Sequence, residues 1–182
     1  MNRLTIPSLE QSPAASQPLL DAVNKQLGVV PNLFRLVGNS PAALEGYLGL
    51  GKALGKGSIG AATGERIALA IAEVNQCGYC LSAHTYLGKN LVKLDDAEIA
   101  ANRAGGSGNA RADAAVRFAV QVARARGHVA DAEVQAVKAA GFSEAEIIEI
   151  VLHVALNTWT NYINEVARTT IDFPVAQPLR SA

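Results

Sequence analysis

The longest regular pattern in the chain is a helical spacing of apolar residues between Ser143 and Thr170. Ser143 followed by Glu146 is typical of a capping box at the start of a helix. No alternating strand pattern competes with this spacing, and an alanine-rich sequence with only 5% aromatic residues favours helices over sheets. The sequence therefore predicts an all-α fold. The residues that recur at helical spacing are Ile147, Ile148, Val151, Ala155, Leu156, Trp159, Ile163 and Val166.

Start and stop signals divide the first part of the chain into shorter helices. A helical spacing over residues 19–27 stops at Gly28. Ser40, followed by a proline, begins the next predicted helix, because Ser is a good N-cap and proline suits the first turn. Thr63 is the candidate N-cap of the helix after that.

The second part of the chain carries signals of the same kind. Asp95 and Glu98 resemble a capping box, and the glycine-rich segment 105–109 predicts a break before a helix over residues 110–126. Asp131 is the candidate cap of one more short helix.

The length of 182 residues fits one domain with a single core. Residues 1–15 contain Pro7, Pro13 and several serines, which predicts a flexible N-terminal arm. We expect a single helical domain over residues 16–172 and a flexible tail over residues 173–182.

Composition excludes several classes of partner. The 16 basic and 16 acidic residues balance, which gives no charged footprint for nucleic acid or for an anionic membrane. No apolar run reaches the roughly 18 to 20 residues needed to span a bilayer, and the first residues lack the apolar core of a secretory signal. The sequence predicts a soluble, cytoplasmic protein.

The two cysteines of the chain, Cys77 and Cys80, are separated by only two residues. Such a pair can close a small disulfide ring and exchange electrons with thiols or peroxides. On a helix, His84 lies one turn beyond Cys80, within reach for proton exchange, and the preceding helix brings Glu65 back toward the pair. These four residues predict a thiol site with a proton relay.

A reactive cysteine needs surroundings that stabilise its thiolate, because a thiol with a pKa near 8.5 is only a few per cent ionised at neutral pH. His84 is the nearest base for Cys80. A break between helices just before Cys77 would place both sulfurs in the first turn of the next helix, where backbone N–H groups favour an anion. The helix dipole alone would activate Cys77.

The spacing of Glu65, the Cys77/Cys80 pair and His84 resembles the signature of the alkylhydroperoxidase D-like (AhpD-like) proteins of the carboxymuconolactone decarboxylase superfamily. The resemblance extends over roughly residues 20–170 and is strongest to the peroxidase-related branch. The flanking segments that share it are residues 27–35, 40–44 and 75–84.

The resemblance implies an AhpD-like all-α domain that reduces alkyl hydroperoxides. It assigns Cys80 as the peroxidatic cysteine, Cys77 as the resolving cysteine, His84 as the acid–base group and Glu65 as the relay carboxylate. It implies no bound cofactor or metal, an external dithiol electron donor such as a dihydrolipoyl or thioredoxin-like protein, and a homo-oligomer. Some relatives carry a second relay histidine where this chain has Tyr79, and a phenol is a poor base at neutral pH.

Other interpretations of the same residues are open. The pair could serve a redox sensor or electron carrier without peroxidase activity, or the cysteines could be inert and buried. A carboxymuconolactone decarboxylase would not need a dithiol. In a zinc-stabilised interaction module, Cys77, Cys80 and His84 would be ligands together with His128 or His153. Otherwise His128 is expected on the surface and His153 in the core.

Overall fold

The structure is a computed structural model that describes residues 2–177. Over this range it contains nine helices and no strand, which confirms the predicted all-α class. None of these helices is both long and apolar enough to cross a membrane. The helices are α1 (Gln17–Leu27), α2 (Asn32–Val37), α3 (Pro41–Leu54), α4 (Ala61–Val74), α5 (Gly78–Asn90), α6 (Asp96–Arg103), α7 (Ala110–Arg124), α8 (Asp131–Ala139) and α9 (Glu144–Ala167).

Helix α4 is the centre of the fold. Its middle is apolar on every side, and Ile67, Leu69 and Ile71 are completely buried. A helix that is apolar all round must be covered by neighbours. Helices α5, α6, α7 and α9 pack against it. Because α4 contains Glu65 and leads directly into the cysteine pair, the most rigid element of the domain also positions the candidate site.

The apolar core has two main clusters. The first joins α4, α7 and α9 through residues such as Ile67, Val116 and Ile150. The second joins α1, α2, α3 and α5, and it contains both cysteines. The dithiol therefore lies inside a packed apolar cluster and not in a surface loop.

Most predicted helix ends are confirmed. Helix α1 ends at Gly28, whose φ of 75° is left-handed and suits glycine. The Ser40 hydroxyl accepts a hydrogen bond from the backbone N–H of Ala43. At the start of α9, Ser143 and Glu146 form the predicted reciprocal capping box.

Three local predictions need correction. Helix α4 begins two residues before Thr63, because Gly60 at φ 77° turns the chain into the helix earlier. Asp131 is the first residue of α8 and not its cap. Asp95 caps α6 as predicted, but the Glu98 carboxylate binds Arg66 and the following loop and does not return to Asp95. The short helix α2 was not predicted.

The N-terminal segment does not extend away from the domain as a free arm. The backbone N–H of Arg3 donates to the carbonyl of Ala167 at 2.7 Å, and Asn2 accepts from Thr170 at 2.9 Å. The Arg35 guanidinium donates to the carbonyl of Pro7 at 2.7 Å. Prolines exclude a helix here, but they leave backbone carbonyls that side chains of the domain can bind.

The described part of the C-terminal segment, residues 169–177, crosses over α5, and we call it the C-terminal strap. Ile171, Phe173 and Ala176 pack against the cluster that contains the cysteines. The backbone N–H of Ala176 donates to the Ser82 hydroxyl at 3.1 Å. The part of the predicted flexible tail within residues 173–177 is thus packed on the domain, and residues 178–182 lie outside the described residues.

Candidate active site

The junction between α4 and α5 builds the site locally. Gln76 adopts a left-handed φ of 55°. The backbone N–H groups of Gln76 and Cys77 bind the carbonyls of Glu73 and Ala72, which is the Schellman arrangement at a helix end. Cys77 then becomes the N-cap of α5, and its sulfur accepts the backbone N–H of Cys80 at 3.3 Å. The predicted break is present, and both sulfurs lie at the start of α5.

Cys80 carries the more acidic thiol of the pair. Hydrogen bonding from Cys77 is the largest cause, and the charge of His84 and the side chains of Asn164 and Asn161 act in the same direction. Burial opposes them, since the residue is only 3% exposed. Together these effects lower the pKa of Cys80 to about 7, so a large fraction is thiolate at neutral pH.

The surroundings of Cys77 shift its pKa in the opposite direction to that of Cys80. Its hydrogen bond to the Cys80 sulfur, its complete burial and the charge of that sulfur all raise the pKa of Cys77. It therefore stays a thiol that donates to its neighbour. The dipole of α5 alone favours a thiolate at Cys77, but the hydrogen bonds and the nearby charge of His84 favour one at Cys80.

His84 and Glu65 form the second half of the site. Their side chains, about one-fifth exposed, meet at 2.8 Å between Nδ1 and Oε2. Burial works against a charged imidazole, but the charge and hydrogen bond of Glu65 and the charge of Cys80 outweigh it and raise the pKa of His84. Because Glu65 occupies Nδ1, Nε2 is the ring nitrogen that can exchange a proton with a thiol or a substrate.

The structure thus brings together the four site residues that the sequence indicated. It adds residues that the sequence analysis missed. Asn161 and Asn164 of α9 are 0% and 2% exposed, and the Asn164 amide donates to the Cys80 sulfur at 3.3 Å. Asparagines on the buried face of an apolar helix were the available signal, because buried polar groups need a partner. Tyr47 of α3 also lies near the site: burial and the charges of Cys80 and Glu65 raise its pKa.

Tyr79 does not stand in for a relay histidine. Its hydroxyl accepts a hydrogen bond from the backbone N–H of Leu33 at 3.1 Å, near the start of α2. Its ring meets Phe173 of the strap edge-on, with the centroids 5.8 Å apart. Tyr79 joins α5 to α2 and to the strap, so its contacts are structural.

The remaining titratable residues of interest have ordinary surroundings. His128 lies in an exposed loop. His153 lies over Gly64, where a Cβ atom would come within 2.9 Å of the imidazole, and burial lowers its pKa. Glu73 pairs with Arg103 at 2.8 Å. Within residues 2–177 no three His, Cys, Asp or Glu side chains are grouped to hold a metal ion, so the zinc hypothesis gains no support.

Solved structures with the same fold are found at low sequence identity. An uncharacterized peroxidase-related protein from Silicibacter sp. TM1040 is 21% identical, with a TM-score of 0.81 over 93% of this chain and 91% of that one. An AhpD-core, uncharacterized peroxidase-related protein from Ralstonia eutropha JMP134 is 24% identical, with a TM-score of 0.81 over 94% and 92%. These likenesses show that the fold is AhpD-like.

The same fold is found in an enzyme of a different kind. The debrominase Bmp8, crystallised as a cysteine-to-alanine variant in complex with 2,3,4-tribromopyrrole, is 21% identical, with a TM-score of 0.73 over 87% of this chain and 86% of that one. None of the curated proteins compared with the chain matches it significantly.

An all-helical AhpD-like domain with a buried cysteine pair defines the class of the protein. Residues 41–121, which contain Glu65, Cys77, Cys80 and His84, match the model of the carboxymuconolactone decarboxylase family. This segment of the chain is therefore similar to the carboxymuconolactone decarboxylase family, and the domain that contains it has an AhpD-like fold.

Proposed function

We propose that the protein is a thiol-dependent peroxidase that reduces alkyl hydroperoxides through Cys77 and Cys80. The observation that carries this proposal is the Cys80 sulfur, whose pKa is lowered to about 7 next to a histidine that a carboxylate holds at 2.8 Å. A thiolate provides the nucleophile, and a histidine with a raised pKa provides a proton for the leaving group.

In the first step the Cys80 thiolate attacks the O–O bond of the hydroperoxide. The sulfur takes one oxygen and becomes a sulfenic acid, while the other oxygen leaves as an alkoxide, which takes a proton from His84 and becomes an alcohol. Glu65 stabilises the imidazolium before that transfer and keeps the ring in position. Cys77 then displaces the sulfenic oxygen as water, and the pair becomes a disulfide.

An external dithiol returns the pair to its reduced form by thiol–disulfide exchange. We propose a dihydrolipoyl or thioredoxin-like protein as the donor, with no cofactor bound to the chain itself. A cycle that begins from a free dithiol suits a reducing compartment, which supports the cytoplasm as the location.

The test is intact mass spectrometry of the reduced, metal-free protein after mixing with limiting organic hydroperoxide, sampled over time. The native chain should lose two hydrogens quickly. Cys77→Ser should gain one oxygen, as a trapped sulfenic acid, and Cys80→Ser should react no faster than an ordinary free thiol.

If all three proteins react as slowly as a free thiol, the peroxidase proposal fails. Rapid disulfide exchange with a dithiol protein, without peroxide reactivity, would then indicate a redox sensor or an electron carrier. Turnover of a carboxymuconolactone by the Cys80→Ser variant would indicate a decarboxylase.

A further inference from the structure

Two asparagines of α9 lie next to the sulfur of Cys80. The amide Nδ2 of Asn164 donates to the Cys80 sulfur at 3.3 Å. The side chain of Asn161, almost one turn earlier, also acts to lower the pKa of the same thiol, but its Nδ2 makes no hydrogen bond within residues 2–177. Both residues are buried, at 2% and 0% exposure, so water does not compete with these amides.

The orientation of Asn161 is set by a third asparagine. Asn75, the C-cap of α4, donates its Nδ2 to Oδ1 of Asn161 at 2.9 Å. Because Oδ1 takes this contact, Nδ2 is left as the group of Asn161 that can face the Cys80 sulfur. The asparagine at the end of α4 thus holds the carboxamide on α9 in the orientation that the sulfur requires.

The two carboxamides also carry one polar atom each that lacks a protein partner. Nδ2 of Asn161 and Oδ1 of Asn164 are buried and have no hydrogen-bond partner within residues 2–177. A buried polar group without a partner costs stability, so its presence beside a reactive sulfur calls for a reason. One atom is a donor and the other an acceptor, which is the pair that a hydroxyl group bound to the sulfur would satisfy.

We propose that Asn161 and Asn164 stabilise the Cys80 thiolate and then bind the oxygen atom that its sulfur accepts from the hydroperoxide. In the sulfenic acid, the oxygen accepts from Nδ2 of Asn161 and its O–H donates to Oδ1 of Asn164. The oxygen comes from the O–O bond that breaks in the first step, and Cys77 later displaces it as water. The stabilisation of the thiolate is the thiolate half of the proposal, and the binding of the oxygen is the oxygen half. Only the oxygen half rests on the proposed peroxidase function.

The first test measures the pH at which Cys80 ionises, in the absence of peroxide. The rate at which iodoacetamide alkylates Cys80 is followed against pH in the reduced protein, with peptide mapping to separate Cys80 from Cys77. Asn164→Leu and the smaller Asn164→Ser should each move the midpoint upward by about one pH unit, because a hydrogen bond to a charged group is lost. Asn161→Leu should move it in the same direction.

Asn157→Ser is the matched control. Asn157 is a buried asparagine of the same helix, but its amide binds the backbone carbonyl of His153 at 2.8 Å and not the sulfur. Its midpoint should stay at the native value. Midpoints equal to the native one in the folded Asn164 variants, checked by circular dichroism, would overturn the thiolate half of the proposal.

The second test measures how fast Cys80 accepts an oxygen atom from the hydroperoxide. In the Cys77→Ser background, formation of the sulfenic acid by an organic hydroperoxide is followed at a pH above every midpoint, where Cys80 is fully ionised. At this pH, the Asn161 and Asn164 variants should still form the sulfenic acid about tenfold more slowly than Cys77→Ser with native asparagines. The reason is that the oxygen has lost a hydrogen-bond partner in the transition state. Equal rates at that pH would overturn the oxygen half.

The two halves fail separately from the proposed function. If the chain with native asparagines does not react with peroxide but the alkylation midpoints shift, the peroxidase proposal and the oxygen half are both wrong, and the thiolate half stands. If peroxide reacts rapidly and every asparagine variant behaves as native, the peroxidase proposal stands and this inference is overturned.

Discussion

At the scale of single residues, the contact between His84 and Glu65 controls the charge next to Cys80. The carboxylate and the thiolate raise the pKa of His84 against the effect of burial. The imidazolium in turn helps to lower the pKa of Cys80. The two groups therefore depend on each other, and a change at Glu65 should be measurable at the sulfur through the histidine.

Glu65→Gln should lower the pKa of His84 by about one pH unit, because the variant loses the negative charge next to Nδ1. Oxidation of Cys80 by hydroperoxide should slow by up to about tenfold at neutral pH, since less of the histidine is protonated. Proton NMR titration of the His84 ring gives the pKa, and mass spectrometry gives the rate. Glu73→Gln is the control. It removes a carboxylate from the same helix, but that carboxylate binds Arg103 and not His84.

The same contact makes stability depend on pH. The folded-state pKa of His84 lies above its ordinary value of 6.5. Its contribution to stability is therefore fully present below that value and is lost as the pH rises through the folded-state pKa. This slope in the free energy of unfolding should be smaller in Glu65→Gln, and a slope equal to the native one would contradict the assignment.

At the scale of elements, Glu98 ties α6 to α4 and to the glycine-rich loop before α7. Burial raises its pKa, but hydrogen bonds from Ser107, Arg66, Asn102 and the backbone of Gly108 outweigh burial and lower it to about 2. The Arg66 contact is 2.6 Å long, with both side chains largely buried. One carboxylate thus holds α6 and the glycine-rich loop next to α4, the helix that carries Glu65.

Glu98→Gln should destabilise the protein by about 2 to 3 kcal/mol at neutral pH, because a carboxylate with a pKa far below its ordinary value stabilises the fold. The difference is present above pH 4.5, the ordinary pKa, and shrinks as the pH falls toward 2. Urea unfolding at neutral pH and at pH 3 measures it. Glu144→Gln, which breaks an exposed pair with Lys138, should change stability little at either pH.

The C-terminal strap covers the start of α5, where the cysteines lie. Phe173 contacts the rings of Tyr79 and Tyr86 at centroid distances of 5.8 and 5.9 Å. Ile171 lies over Gly78, between the two cysteines in sequence. A reductant that approaches from this side has to displace the strap before it reaches the sulfurs.

Phe173→Ala should therefore speed the reduction of the Cys77–Cys80 disulfide by dithiothreitol several-fold, since local opening becomes easier when buried contacts are removed. Stopped-flow measurement of the thiols released gives the rate. Val175→Ala is the matched control, because this strap residue is 63% exposed. Equal rates in Phe173→Ala and native protein would show that reductants reach the pair from the His84 side.

At the scale of the whole molecule, α9 leaves apolar side chains on the surface. Tyr162, Val166 and Ile148 are 58%, 57% and 68% exposed, and Trp159 is 39% exposed. An exposed apolar patch of this kind is typical of an interface between proteins. We therefore propose that the homo-oligomer implied by the family resemblance assembles through this face of α9.

Val166→Glu should dissociate that oligomer or weaken it at least tenfold, because a charge in a buried apolar interface lacks a partner. Analytical ultracentrifugation over a range of concentrations measures the change. Leu91→Glu places the same charge at a residue that is 63% exposed outside α9, and it should leave the assembly intact. A native chain that sediments as a monomer at all concentrations would contradict the proposal.

The helices could be predicted wherever their ends depend on neighbouring residues. The capping box at Ser143 and the glycine stop at Gly28 act within one turn, so the sequence showed them directly. Helix α2 has six residues, no side-chain cap and no periodic pattern long enough to detect. Its position depends on contacts with the strap, such as Asn32 with Thr170, and those cannot be read from local spacing.

The sequence by itself determined the helical class, the cysteine pair at a helix start and the histidine one turn later, because each follows from residues a few positions apart. Only the tertiary structure decided that Glu65 meets His84, that Asn164 of α9 reaches the Cys80 sulfur across 84 positions, and that the strap packs on α5. These contacts depend on how helices pack around α4. The same packing buries both sulfurs, and through that burial and those contacts it gives them unequal acidity.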